Sequence, residues 1–172
     1  MTIVLVILII IAAYFFLVFV VLRLVAPFMG FGGYQPPVDL PAEATQTIAD
    51  LENRSTDKKT YLKAVYDFVQ SRWQATRGQA LTKLSKLFRE NFVSLWRQPG
   101  YAHCTTQNFI LHTLLVNSKF FKADDVKVKH VFLNFVPHQY LRVRVGEQWI
   151  DVDPAAGSAL GIPFGRHGSF FG

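Results

Sequence analysis

The sequence predicts an α+β protein: an N-terminal transmembrane helix, then a helical layer packed on an antiparallel sheet. Three observations predict it. Residues Ile3 to Leu22 are apolar without interruption. Between residues 42 and 117 apolar positions recur at spacings of three and four, and beyond Val126 the pattern changes to short β-branched and aromatic runs. Helices first and strands afterwards are the order of an α+β domain. With 51% apolar and 17% charged residues among 172, the composition excludes a disordered or low-complexity chain. The roughly 130 residues after the membrane segment and its linker suffice for one core and are too few for two.

Residues 1–25 read as the anchor. Thr2 to Leu22 carries no charge, and as a helix it would span about 31 Å, the thickness of the bilayer hydrocarbon. It is apolar on every face, so lipid suits it better than a protein core does. A cleaved signal peptide would show a basic start, a shorter apolar run and a small-residue cleavage site, which are not evident. Arg23, alone just behind the run, slightly favours a cytoplasmic C-terminal domain. Residues 26–41, with Gly30, Gly32, Gly33, Pro36, Pro37 and Pro41, read as a linker that carries neither helix nor central strand.

The domain is then residues 42–172. A short helix is expected from Pro41 to Asn53, with Glu43 at its positive end. Ser55, Thr56 or Asp57 caps a second helix, striped by Tyr61, Leu62, Val65, Phe68, Val69 and Trp73 and ended by Gly78. Leu81, Leu84, Phe88, Phe92 and Leu95 stripe a third helix, which Pro99 and Gly100 stop. Cys104 to Asn117 forms a fourth, with Ile110, Leu111, Leu114 and Leu115 inward. Three tightly joined strands follow: Val126 to Val136, Tyr140 to Val145, and Trp149 to Val152, separated at Pro137 and Gly146. Residues 155–172 give no readable pattern.

Charge narrows the function classes. The net charge of +6 is local: residues 51–99 hold ten Lys/Arg against four Asp/Glu, and residues 100–172 hold seven against five. A basic helical stretch mixed with apolar positions reads as a solvated face or a surface for anionic lipid or an acidic partner. No nucleic-acid motif accompanies it, so nucleic acid is not expected as a partner. One cysteine, Cys104, excludes an intrachain disulfide and a Cys-rich metal site. No metal spacing of His and carboxylates and no phosphate-binding glycine loop is present, so no cofactor is expected.

Chemistry is suggested by three residues. A thiol acts as a nucleophile only as a thiolate, and a helix N-terminus, where Cys104 is expected, favours that anion. His138 opens the second strand and Asp153 closes the third. A hairpin turning near Gly146 would bring these two to the same open end. Nucleophile, base and orienting carboxylate then follow in chain order. Asp151, two residues from Asp153 on the same strand face, is the substitute if the register differs. His103 reads as surface or pocket lining, His130 belongs to the preceding strand region, and His112 and His167 lack a carboxylate at suggestive spacing. Asp124 and Asp125 read as a turn pair.

At these residues the chain resembles the transglutaminase-like superfamily of papain-like cysteine enzymes. The stretch His138-Gln139-Tyr140, then Gly146-Glu147-Gln148-Trp149-Ile150-Asp151-Val152-Asp153-Pro154, is similar to the family's His-strand, Gly-x-x-Trp turn and terminal Asp-Pro. The resemblance covers roughly residues 57–155. It implies Cys104 as nucleophile, His138 as general base and Asp153 as its partner. Tyr140 stands where the family often has Trp, and Thr105 and Thr106 where it often has an aromatic or acidic residue. The Cys104 backbone N–H would form part of an oxyanion hole, with Gln98 or Trp96 as a second donor.

The expected function is a membrane-anchored, cysteine-dependent acyl-transfer enzyme acting on amides of a protein or peptide. Hydrolysis and transfer share the chemistry up to the acyl-enzyme. The alternative is a catalytically inactive transglutaminase-like interaction module on the membrane.

Overall fold

One helix, running from Cys104 to Val116, is buried along nearly its whole length, and the rest of the domain is arranged around it. The computed structural model describes residues 2–29, 34–76, 78–89, 91–133 and 136–169. Its elements are α1 (Thr2–Phe16), a π-helical turn (Leu17–Val21), α2 (Leu22–Val25), α3 (Ala42–Asn53), α4 (Lys58–Arg72) and β1 (Trp73–Gln74). After these come α5 (Gln79–Thr82), a 3-10 turn (Leu84–Phe88), α6 (Phe92–Arg97), β2 (Gly100–Tyr101) and α7 (Cys104–Val116). A second 3-10 turn (Ala123–Asp125), β3 (Val126–Leu133), β4 (Val136–Val145), β5 (Gln148–Val152) and α8 (Pro154–Leu160) complete the described chain.

The fold is a mixed one, with an antiparallel sheet in the order β3-β4-β5. Helix α7 packs across β4 on one side and against α4 and α8 on the other. Ile110, Leu111, Leu114 and Leu115 meet Leu62, Val65 and Val69 of α4 and Leu141, Val143 and Val152 of the sheet. Each such buried side chain contributes about 1.5–3 kcal/mol. Of the three candidate caps for α4, Asp57 is used. Its carboxylate accepts from Lys59 N and Thr60 N at 2.8 Å each, and Thr60 Oγ1 accepts in return from the Asp57 N–H.

The single helix expected around Leu81–Leu95 is instead three short pieces. Leu87, off the predicted stripe, turns inward, while Leu84 and Phe88 stay half exposed. Asn91 then starts α6 afresh, its side chain accepting from Ser94 N. Helix α4 also ends earlier than Gly78. The Trp73 ring fills the core and donates through Nε1 to Leu95 O, and its backbone pairs in parallel with Gly100. Pro137 does not separate strands but lies within β4 opposite Phe132. The ladder to β5 begins only at Leu141, so Pro137 lies where β4 is paired on the β3 side alone, a position that tolerates proline. Gly146, at φ +64°, makes the expected turn between β4 and β5. Asp125 is more than a turn residue. Buried, it receives Lys58 Nζ at 3.3 Å and Arg144 Nη2 at 2.7 Å, which ties α4 to β4.

The segment read as a linker packs on the domain. Phe28 stacks on Phe109 of α7 with centroids 4.0 Å apart, and Tyr34 and Leu40 also lie against the core. Phe28 itself has φ +64°, a left-handed conformation that a side chain disfavours by roughly 1–2 kcal/mol. Ring stacking and the bond from Gln139 Nε2 to Phe28 O offset it. Gly30, Gly32 and Gly33, which carried much of the linker reading, lie outside the described residues. Ahead of this strap, Ile3–Val25 is long and apolar enough to cross a membrane, a property that spanning anchors and signal sequences share.

Replacing Phe28 with Ala should lower unfolding stability by about 1–2 kcal/mol through lost ring burial. Val38→Ala, at a 90% exposed side chain, should change little. Denaturant titration of the detergent-solubilised full chain measures both, and equal stability would show that the strap is a free tether.

Candidate active site

Cys104 is the first residue of α7 and is partly exposed. His103 before it is extended and gives no side-chain cap, so the leading N–H groups of the helix are not taken by a capping side chain. Gln107 turns back and donates through Nε2 to Ala102 O at 3.0 Å, holding the entry to the helix. One turn after Cys104, Asn108 Nδ2 donates to Gln139 O at 2.7 Å. That bond joins the thiol-bearing helix to the residue next to His138 on β4.

The hairpin brings His138 and Asp153 together. Leu141 pairs with Val152, and one step further along the ladder Asp153 stands diagonally across from His138. The His138 Nε2–H donates to Asp153 Oδ2 at 2.6 Å, with both side chains buried. Nε2 being committed there, Nδ1 is the ring nitrogen left for a proton exchange with Cys104, whose sulfur is close enough to raise the imidazole pKa. The Asp153 carboxylate is held from two further sides: Ala156 N donates to Oδ1 at 2.9 Å and Gly168 N to Oδ2 at 3.0 Å. The first bond makes Asp153 the N-cap of α8, with Pro154 at the first helical position.

Burial by itself lowers the His138 pKa. The Cys104 sulfur and the Asp153 carboxylate outweigh it and push the imidazole up to about 10. The protonated ring therefore persists through neutral pH and loses its proton only as the pH rises through that value. The other shifted histidines move the opposite way. Burial pulls His112 down to about 4, lowers His103 against a bond to Lys83 O, and lowers His130 together with the nearby Arg23 charge. Two tyrosines sense the thiol: burial, then charge on Cys104, raise Tyr101 to about 12 and Tyr34 well above its ordinary value.

The remaining candidates fall elsewhere. Gln98 is exposed after α6, and its N–H is used by Leu95 O. The Trp96 ring is buried among Phe68, Trp73 and Phe92. Asp151 faces Arg142 at 3.2 Å and His167 Nδ1 at 2.8 Å. His167 thus has a carboxylate partner that its sequence spacing did not reveal. The chain returns beside β5, bridging Asp151 with Gly165, and lays the His167 ring flat on Tyr140 at 4.1 Å. His130 accepts from Gln139 Nε2, and His103 sits between Tyr101 and Lys83 O. Thr105 and Thr106 are buried, and Thr105 O faces the Tyr34 hydroxyl at 3.2 Å. Among the described residues, no three His, Cys, Asp or Glu side chains converge to hold a metal.

Sequence reasoning missed Asn108, Gln139, Tyr34 and Gly168. Asn108 was findable, because position i+4 from Cys104 shares its helix face. Nothing local marks Gly168, whose role comes from a close approach: a Cβ there would stand 2.9 Å from the Ala156 Cβ.

No family model matches the chain, and no curated protein does. A solved structure described as "Crystal structure of a TGase" is similar to it, at 15% sequence identity and a TM-score of 0.46. The likeness covers 77% of this chain and 37% of that one.

Ring-carbon NMR of histidine-labelled protein should show His138 charged at pH 8 and titrating near pH 10, with His112 already neutral at pH 6. Gly168→Ala should displace the N–H that orients Asp153 and move the His138 titration to lower pH. A wild-type His138 that titrates like a free imidazole would contradict the ion-pair arrangement.

Proposed function

We propose that the protein is a membrane-anchored, cysteine-dependent acyl-transfer enzyme acting on amide bonds of a protein or peptide. The observation that carries this reading is the 2.6 Å bond from His138 to a buried, triply held Asp153, with the Cys104 sulfur near enough to raise the imidazole pKa. The transglutaminase-like pattern from His138 to Pro154 supports it.

In this mechanism the Cys104 sulfur, as thiolate beside imidazolium, attacks the amide carbonyl carbon. The carbonyl oxygen becomes an oxyanion against the leading N–H groups of α7. Collapse of that intermediate breaks the carbon–nitrogen bond, and His138 gives its proton to the leaving amine. Neutral His138 then takes a proton from the incoming water or amine, whose attack on the thioester expels the Cys104 thiolate and restores the ion pair. Asp153 keeps Nε2 protonated throughout, which leaves Nδ1 to exchange protons with sulfur and substrate. Anchoring rests on the apolar helix Ile3–Val25, and alkaline carbonate washing of membranes tests it: release of the full chain would rule out a spanning helix.

A peptide-like vinyl sulfone tests the chemistry, since it reports thiolate–imidazolium pairs without knowledge of the substrate. Cys104 should be labelled, and His138→Ala should suppress that labelling. Once an amide substrate is in hand, Asp153→Asn should lower turnover by on the order of 10⁴, the loss seen in comparable triads. Asp151→Asn, altering a carboxylate bound to Arg142 and His167, should be far milder. Labelling that follows an ordinary thiol and ignores His138 would favour the inactive interaction module.

A further inference from the structure

We propose that the domain lies down on the bilayer surface beside its own N-terminal helix, resting on two apolar edges. This rests on the reading of Ile3–Val25 as a membrane anchor. The first edge is the 3-10 turn Leu84–Phe88, where Leu84 and Phe88 are each about half exposed. The second is formed by the facing ends of β3 and β4, where Phe132 and Val136 are exposed. Both edges meet the stretch at which the chain leaves the apolar helix. The Phe132 ring lies 4.9 Å from that of Phe19, and Leu87 forms a small buried cluster with Ala26 and Met29.

The exposed apolar side chains therefore continue the lipid-facing surface of the helix instead of forming a separate patch. Water is a poor environment for four large apolar side chains so placed, and the bilayer that would hold Phe19 is the nearest apolar phase. Lys83, Lys86 and Arg89 are interleaved with Leu84 and Phe88, the arrangement expected where apolar groups enter a layer of anionic headgroups. The sheet's other end carries the polar turn at Gly146 and Glu147, roughly 30 Å away along β4. His138 is two residues from Val136, about 7 Å along the strand, which sets the site close to the lipid surface.

Site-directed spin labelling of the full chain in phosphatidylcholine–phosphatidylserine vesicles tests this. Labels are placed one at a time by Leu84→Cys, Phe88→Cys, Val136→Cys, Glu147→Cys and Ile9→Cys in a Cys104→Ser background, each chain being checked for native circular dichroism. Labels at 84, 88 and 136 should collide with oxygen more often than with a water-soluble nickel chelate, as the label at 9 does, and the ratio should reverse at 147. Three exposed positions on two elements keep the test independent of any one substitution. Labels at 84, 88 and 136 reading water while position 9 reads lipid would overturn the resting surface and leave the anchor intact. A label at 9 that reads water would overturn both.

Discussion

The Asp153 carboxylate is the point on which four parts of the chain depend. It ends β5, caps α8 through Ala156 N, receives Gly168 N from the returning C-terminal segment, and accepts the imidazole N–H of His138 on β4. A buried carboxylate without partners would be strongly unfavourable, so each of these donors is needed where it is. The same bonds that make the charge tolerable also fix the orientation of the imidazole. A close approach at Gly168 and a proline at the start of α8 are therefore features of the site as much as of the fold.

The thiol side is set from the opposite direction. Helix α7 is buried on every face, polar residues included, so its N-terminus has little freedom relative to the sheet. Asn108 ties it to the backbone of Gln139, and Gln139 in turn bonds the strap at Phe28 O and meets the Tyr34 hydroxyl. The residues just after the apolar helix are thus part of the wall around Cys104. A segment whose composition suits a flexible tether becomes ordered because two aromatic rings on it find Phe109 and His112.

Electrostatics and packing act together at His138. Its burial opposes charge, yet the nearby Cys104 sulfur and Asp153 carboxylate outweigh that opposition. The neighbouring imidazoles lack such partners, and burial drives His112 and His103 toward neutrality. The contrast separates His138 from His103, His112 and His130, which share its intrinsic chemistry. His167 has a carboxylate as well, but it is less buried and stacked on Tyr140.

Local pattern carried much of this structure. The uninterrupted apolar run, the stripe of α4 with Asp57 before it, the start of α7 at Cys104 and the turn at Gly146 each depend on neighbours within a few residues. Chain periodicity reports such features directly. The approach of His138 to Asp153 was legible for the same reason, since a two-residue turn sets the register of both strands. The helix expected between Leu81 and Leu95 broke because tertiary packing selected Leu87 over the stripe. Pro137 entered a strand at a point that β5 does not reach, where β4 is paired on one side alone. The docking of Phe28 and Tyr34, the pairing of His167 with Asp151 and the approach of Gly168 to Asp153 join residues 15 to more than 100 positions apart. By itself the sequence determined the apolar helix, α4, α7 and the hairpin that unites two of the three candidate residues. Only the tertiary structure decided which distant backbone and ring groups surround them, because those contacts depend on the shape of the packed core and leave no periodic trace in the chain.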